Sequence, residues 1–191
     1  MHTMPRVKLD PRKCVLAVID IQPLLTKTIF ESSRVLERVA FLAKAAKVLG
    51  IPVLATEQNP NRMGHTCEEL LPLLEESNTF AKMSFSAYGC EPFVSRLEQL
   101  DRTQVVLVGM ETHICVSLTA NDLLDRDFEV VVCPDAVSSR TMERHKLGME
   151  RIRDAGAVPA HSEAVVYEWV QSADSPEFKP ILQLVKELSL G

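Results

Sequence analysis

Long apolar runs of strand length, separated by segments with helical periodicity, constrain the fold of this chain more than any other feature. Residues 14–20 (CVLAVID), 105–108 (VVLV) and 129–133 (EVVVC) are apolar almost throughout, without alternation of polar and apolar positions. Such runs are typical of central strands that are buried on both faces of a parallel sheet. Because parallel strands need crossover connections, which are usually helices, the pattern predicts a three-layer α/β domain with about six mainly parallel strands.

The remaining segments fit this alternation. Residues 32–49 have apolar side chains at helical spacing and are followed by Gly50 and Pro52, which are helix stop signals. Residues 57–66 are predicted to be a polar loop and residues 134–140 a turn after the last long strand. Short strands are predicted at 52–56, 79–81 and 158–160, and further helices at 68–75, 92–100, 112–126, 142–155, from residue 162 and at 178–190.

Length and charge narrow the function classes. A chain of 191 residues without a Gly/Ser linker predicts one domain over residues 1–191. The net charge of −5 and the absence of a basic run argue against nucleic acid as a partner, since phosphate binding needs clustered cations. No stretch of about 18 apolar residues is present, so the sequence predicts no membrane span.

The cysteines and the N-terminus bear on the cellular location. Five cysteines, an odd number without a C-x-x-C pair, predict reduced thiols and an intracellular, cytoplasmic protein. Residues 1–13 lack the apolar core of a secretory signal. They contain several basic residues, so a short mitochondrial presequence stays open as an alternative.

Three reactive or charged residues lie at or near the carboxyl ends of predicted strands. Asp20 closes the first long strand, Lys82 follows a short extended segment, and Cys115 lies in the first turn of a helix after the strand at 105–108. The carboxyl ends of parallel strands share one edge, which is where open α/β sheets place their chemistry. A thiol at a helix N-terminus tends toward the thiolate form. These positions predict a nucleophilic Cys115 with Asp20 as base and Lys82 as a stabilising cation.

Taken one by one, the same residues have simpler explanations. A strand-end Asp20 is often a helix cap or a surface residue, a loop Lys82 is usually solvated, and Cys115 could be a core thiol on an amphipathic helix. Spacing alone leaves both interpretations open.

Four motifs, in order, carry a resemblance to a known family. Residues 18–22 (VIDIQ), 79–88 (TFAKMSFSAY), 109–116 (GMETHICV) and 134–140 (PDAVSSR) resemble the isochorismatase-like cysteine hydrolase family. The resemblance runs from about residue 13 to about residue 170 and leaves residues 171–191 as a C-terminal helix. It implies a Rossmann-like α/β/α sandwich, in agreement with the pattern of strands and helices.

The resemblance also implies roles for individual residues. Cys115 is the nucleophile, Asp20 the base, and Lys82 has the acid or charge-stabilising role. A non-proline cis peptide is implied at Met110–Glu111, with the backbone N–H groups of Glu111 and Cys115 forming the oxyanion site. Because isochorismatases proper lack the cysteine, its presence indicates the amidohydrolase-like members, which act on small amides or related carbonyl compounds through a thioester-type intermediate. Homo-oligomers are common in the family, and we expect one here.

No metal site or other cofactor is predicted. The nicotinamidase branch of the family has an Asp-x-His metal pair after the second strand, whereas residues 56–60 here are TEQNP, and His65 stands alone in a loop. The sequence therefore indicates the isochorismatase-domain-containing subgroup rather than the metal-dependent branch.

Further residues are candidates for the substrate pocket by position. Gln22 either points into the pocket or binds a loop backbone, and Gln58, Phe85 and Tyr88 are candidate pocket walls. His113, two residues before the cysteine, is a possible base, although a polar residue at the pocket rim is the interpretation we prefer.

Two other functions remain as alternatives at the level of sequence. One is a catalytically silent binding or scaffold protein with the same fold. The other is a nuclease, which the acidic charge and the lack of a carboxylate cluster for two metals disfavour.

Overall fold

The computed structural model describes residues 7–189 of the chain. Residues 1–6, which hold half of the segment considered as a presequence, lie outside the described residues, as do residues 190 and 191 at the end of the predicted terminal helix. No helix within residues 7–189 is both long enough and apolar enough to cross a membrane.

A six-stranded sheet forms the centre of the molecule, and every neighbouring pair of strands is parallel. The strand order is β3-β2-β1-β4-β5-β6, so β1 and β4 lie side by side in the middle. The strands are β1 (Cys14–Ile19), β2 (Val53–Gln58), β3 (Thr79–Lys82), β4 (Gln104–Met110), β5 (Glu129–Ser138) and β6 (Val158–Pro159).

Helices cover both faces of the sheet, which confirms the predicted α/β/α sandwich. The helices α2, α7 and α8 pack together on one face, and α4, α5 and α6 lie on the other. The bounds are α1 (Pro23–Thr26), α2 (Ser32–Val48), α3 (Pro60–Met63), α4 (Glu91–Gln99), α5 (Ser117–Leu124), α6 (Met142–Asp154), α7 (Ser162–Val170) and α8 (Phe178–Ser189).

The central strand β1 contributes side chains to the core on both faces of the sheet. Leu16 and Val18 belong to the cluster beneath α2, whereas Val15, Ala17 and Ile19 belong to the cluster beneath α4 and α5. All five side chains are at most 1% exposed. Burial on both faces explains why the sequence of this strand is continuously apolar.

The centre of the sheet is packed tightly between β1 and β4 at its carboxyl edge. Gly109 has φ +121°, and a Cβ added there would lie 2.1 Å from the carbonyl oxygen of Ile19. Only glycine fits both the backbone conformation and this approach. Asp20 follows Ile19, and Glu111 lies two residues after Gly109, so both strands lead to the candidate site at this edge.

The strand β5 is longer than predicted. We expected a strand at 129–133 and a turn at 134–140, but β5 continues to Ser138. The pairing shifts from Leu107↔Val132 to Gly109↔Val137, which is a bulge. Pro134, which cannot donate to a ladder, lies within this irregular stretch.

Two predicted helices are also different in the structure. Residues 68–75 contain only a short 3₁₀ turn, Leu71–Leu73, because Pro72 removes a backbone donor. The predicted helix 112–126 is divided into a wide π-helical turn, Thr112–Val116, and α5. The predicted loop after β2 contains the single turn α3.

The apolar face of α8 covers the protein's own core. Ile181 is fully buried and Val185 is nearly so, within the cluster that α2 and α7 share. These two side chains therefore anchor α8 to the core of the same chain.

Candidate active site

The carboxyl edge of the sheet brings Asp20, Lys82 and Cys115 together. Asp20 directly follows β1, in the left-handed region with φ +53°, and its N–H donates to the carbonyl oxygen of Thr56 on the neighbouring strand. Lys82 is the last residue of β3, and Cys115 lies in the turn after β4. The side chains of Asp20 and Lys82 are completely buried.

Asp20 and Lys82 form a buried ion pair. The Nζ atom of Lys82 lies 2.7 Å from Oδ2 of Asp20. The other carboxylate oxygen, Oδ1, accepts a hydrogen bond of 2.8 Å from the Thr56 hydroxyl. A buried carboxylate needs both a counter-charge and hydrogen bonds, and Asp20 has both. Thr56 was not among the predicted site residues, since a threonine within a strand carries no functional signal in the sequence.

The hydrogen-bonding capacity of Lys82 is fully used. Besides Asp20, its Nζ donates to Oε1 of Gln58 at 2.7 Å and to the carbonyl oxygens of Ser84 and Phe85 at 3.2 and 3.1 Å. Three N–H donors thus face four acceptors. Of the two roles that the resemblance implied for Lys82, this arrangement favours charge stabilisation over proton donation to a substrate.

Cys115 is a buried thiol in contact with Asp20. It is 7% exposed and lies in the π-helical turn, a type of turn that is frequent at functional sites. Burial is the main cause that raises the pKa of the Cys115 thiol, and the charge of Asp20 and a side-chain hydrogen bond to it act in the same direction. The charge of Lys82 and a backbone hydrogen bond from Glu111 oppose them, and the resulting pKa is about 12. The thiolate form expected from the helix terminus is therefore wrong for the resting protein. Its thiol is protonated, with Asp20 as neighbour.

Glu111 connects the end of β4 to the turn that contains Cys115. The peptide bond between Met110 and Glu111 is cis. The Glu111 carbonyl oxygen accepts hydrogen bonds from the N–H groups of Ile114 and Val116, and these bonds stabilise the turn. The Glu111 backbone also makes a hydrogen bond to the side chain of Cys115. Both residues named for the oxyanion site thus lie beside the thiol.

Hydrogen bonds from the residue after β5 and from α6 support the same turn. The Thr112 hydroxyl lies 3.0 Å from Nδ1 of His145, and Nδ1 of His113 lies 2.9 Å from the Ser139 hydroxyl. His113 thus contacts a buried serine rather than Cys115, as the interpretation of a rim residue requires. Burial lowers the pKa of His113, so the ring is neutral near pH 7.

An arginine that the sequence analysis did not single out completes this side. Nε of Arg140 donates to Oε2 of Glu111 at 2.9 Å. Arg140 is the last residue of the PDAVSSR motif, which is the only signal that could have identified it.

Gln22 and Gln58 organise the loops around the site. The Gln22 amide donates to the carbonyl oxygens of Gln58 and Gly64 and accepts from the Gln58 N–H at 2.7 Å. The Gln58 amide accepts from Lys82 and donates to the Met83 carbonyl oxygen at 3.0 Å. Of the two interpretations of Gln22, the loop-binding one agrees with these bonds, and Gln58 orients Lys82.

The two aromatic candidates lie in different surroundings. Phe85 is 58% exposed, and its carbonyl oxygen, not its ring, contacts Lys82. The Tyr88 ring lies beneath the guanidinium of Arg126, 4.0 Å from its centroid, and packs against the core on the α5 side. Arg126 follows the carboxyl end of α5, whereas Cys115 precedes its start, so the contacts of Tyr88 are those of a packing residue.

The end of β2 and the loop after it contain a hydrogen-bonded group at the place where a metal pair was considered. Glu57 accepts from the N–H and the hydroxyl of Thr66 at 2.7 and 2.8 Å, and His65 Nδ1 lies 2.9 Å from its other oxygen. Within residues 7–189, no three His, Cys, Asp or Glu side chains are grouped so that they could hold a metal ion.

Comparison with known proteins identifies the family. A family model described as "Isochorismatase domain" matches residues 14–164, which is most of the chain. The chain belongs to the isochorismatase family. All four motifs lie within the matched region, as do Asp20, Lys82 and Cys115 of the candidate site.

Relatives and solved structures agree with this membership. The secreted isochorismatase effector Isc1 of Phytophthora sojae (strain P6497) is 37% identical over 186 residues, which cover 94% of this chain and 88% of that protein. A structure described as MAR1 ribonuclease from Caenorhabditis elegans is 34% identical, covers 94% of this chain and 93% of its own, and has a TM-score of 0.89. The Escherichia coli YcaC gene product, described as an octameric hydrolase of unknown specificity, shares the fold at 21% identity with a TM-score of 0.89, over 98% and 96% of the two chains.

Proposed function

We propose that the protein is a metal-independent cysteine hydrolase that acts on a small amide or a related carbonyl compound through Cys115, Asp20 and Lys82. The observation that carries the proposal is the contact of the Cys115 thiol with a fully buried Asp20 carboxylate. A thiol is a weak nucleophile until a neighbouring base takes its proton. Here the base, fixed by Lys82 and Thr56, lies beside the thiol.

In the first half-reaction, Asp20 takes the proton of Cys115 as the sulfur attacks the carbonyl carbon of the substrate. The negative charge that develops on the carbonyl oxygen is stabilised by the backbone N–H groups of Glu111 and Cys115. The protonated Asp20 then gives its proton to the leaving amine as the C–N bond breaks. A thioester between Cys115 and the acyl group remains.

In the second half-reaction, water enters as the nucleophile. Asp20 takes a proton from this water as its oxygen attacks the thioester, and the sulfur leaves and recovers the proton. The products are a carboxylic acid and an amine, and the thiol is regenerated. Lys82 stays protonated throughout and offsets the charge of Asp20 in the steps where the carboxylate is ionised.

A screen of small amides with matched variants tests this function. Wild-type protein is expected to release amine from at least one substrate. Cys115→Ser is expected to be inactive and Asp20→Asn to be about a thousandfold slower. Mass spectrometry of quenched reactions should find the acyl group on Cys115. Cys67→Ser is the matched control, because Cys67 is also buried (5% exposed) but lies outside the cluster. Turnover that persists in Cys115→Ser would contradict the proposal. A complete lack of turnover, with ligands that still bind, would favour a binding protein.

Hydrolysis of RNA is the second candidate, because the Caenorhabditis elegans neighbour is described as a ribonuclease. The net charge of −5 disfavours it, since RNA binding depends on clustered cations. Incubation of labelled RNA with wild-type protein and with Cys115→Ser separates the two functions. Cleavage by both proteins would replace the amide hydrolase with a nuclease.

We also propose that the protein is a homo-oligomer in the cytoplasm. The YcaC neighbour is described as octameric, which supports the first part, whereas the Phytophthora relative is named as secreted. The five free cysteines agree with a reducing compartment. Light scattering and cell fractionation test the two parts separately.

A further inference from the structure

Arg140 presents unused hydrogen-bond donors at the carboxyl edge of the sheet. It lies two residues after β5, its Nε atom is held by Glu111, and its side chain is 45% exposed. Within residues 7–189, neither terminal nitrogen of its guanidinium makes a hydrogen bond. Arg140 is thus fixed at one atom, and its two-pronged end, which matches the geometry of a carboxylate, is available.

The anchor of Arg140 is the residue that contacts the nucleophile. The Glu111 carboxylate binds the guanidinium, and the Glu111 backbone makes a hydrogen bond to the side chain of Cys115. A single residue therefore separates the arginine from the thiol. The proposed nucleophile and the guanidinium therefore share Glu111 as a common neighbour.

A second guanidinium strengthens the positive charge on this side. Burial has the largest effect on the pKa of His113 and lowers it. The charge of the Glu111 carboxylate raises this pKa, and the charges of Arg140 and Arg144 lower it. Both arginines therefore act on a residue two positions before Cys115. The charges that act on His113 are therefore those of two cations and one anion, in a chain whose net charge is −5.

The opposite side of the site is apolar. Met83 and Phe85, which follow β3, are 72% and 58% exposed, and the backbone of this segment binds Lys82. The charges of Asp20 and Lys82 are buried beneath it and paired with each other. Toward β5, by contrast, the partly exposed Arg140 offers a counter-charge to an anionic group of a substrate.

We propose that Arg140, supported by Arg144, binds a negatively charged group of the substrate, so that the site selects small amides that carry a carboxylate. This inference rests on the function proposed above, and it assigns to Arg140 a role in specificity rather than in bond cleavage.

Two alkylating agents that differ in charge test the inference without knowledge of the substrate. Iodoacetate carries a carboxylate, whereas iodoacetamide is its neutral analogue, and peptide mapping measures the rate at which each modifies Cys115. The ratio of the two rates is expected to fall about three- to fivefold in Arg140→Gln, because one nearby charge is removed. Arg140→Lys should keep most of the ratio, and added salt should reduce the ratio in the wild type more than in Arg140→Gln.

Arg153→Gln is the matched control. Arg153 is 48% exposed, is also paired with a carboxylate, and lies at the far end of α6, so the same loss of charge there should leave the ratio unchanged. An unchanged ratio in Arg140→Gln, with iodoacetamide still reacting at Cys115, would overturn the inference. If no amide is hydrolysed but the ratio of iodoacetate to iodoacetamide rates still depends on Arg140, the hydrolase function would be rejected and the anion site would stand.

Discussion

Two ion pairs flank Cys115, and they have similar geometry but different surroundings. Lys82 and Asp20 are 2.7 Å apart with both side chains fully buried, whereas Arg140 and Glu111 are 2.9 Å apart with 45% and 11% exposure. Every donor of Lys82 is used. The guanidinium of Arg140 donates from one atom only among the described residues.

The difference separates two tasks. A base must keep a fixed position and be shielded from water, which requires a saturated network in a buried place. A group that recognises a substrate must keep donors available, and so it stays partly exposed. On the proposed function, the first pair takes part in the chemistry, and the second binds the substrate. Substitutions in the Asp20–Lys82 pair should consequently affect stability more than specificity. Substitution of Arg140 should affect specificity more than stability.

The largest effect is expected from Asp20→Asn on amide hydrolysis. Loss of the base should reduce the rate about a thousandfold. Because the charge of Asp20 and its hydrogen bond raise the pKa of Cys115, the same change should lower that pKa and increase the thiolate fraction at pH 8.5. Reaction of Cys115 with iodoacetamide should then become faster, because the thiolate is the reactive form. An unchanged alkylation rate would show that Asp20 does not act on the thiol.

The second largest effect is expected from Lys82→Met on stability. An uncompensated carboxylate would remain in a fully buried place, which typically costs about 3–5 kcal/mol of unfolding free energy. Urea denaturation measures this. The double variant Asp20→Asn/Lys82→Met should recover most of the loss, and a loss that persists in the double variant would mean that the pair is not the cause.

A smaller effect is expected from Gln58→Leu. This change removes one acceptor from the buried ammonium of Lys82 and one donor from the Met83 carbonyl oxygen. We expect a loss of about 1–3 kcal/mol in unfolding free energy. Gln183→Leu on the exposed face of α8, where the amide also contacts one side chain, is the control and should change stability little. Equal effects at the two positions would contradict a special role for Gln58.

The smallest effect on stability is expected from Arg140→Gln. The ion pair with Glu111 is partly exposed, and such pairs contribute about 1 kcal/mol or less. Thermal unfolding should therefore change by a few degrees at most, while the preference of Cys115 for the anionic alkylating agent falls. A loss as large as that of Lys82→Met would remove the distinction between the two sides.

The sequence was a good guide to the central strands and a weaker one to the elements around the site. Continuous apolar runs identified β1 and β4, because burial on both faces leaves a local mark in the composition. The extension of β5 past Pro134 was not predictable from local signals, since a bulge depends on how the neighbouring strand β4 continues. The π-helical turn at Thr112–Val116 had no recognisable signal either.

By itself, the sequence determined the fold class, the family motifs and the positions of Asp20, Lys82 and Cys115 at strand ends or just beyond them. The tertiary structure decided what those residues contact. Lys82 and Asp20 are 62 positions apart in the chain, and their pairing, the burial that keeps Cys115 protonated and the packing of Tyr88 against Arg126 depend on contacts between distant segments. Local patterns record which face of an element is buried, whereas charge pairing and pKa shifts depend on neighbours that only folding brings close.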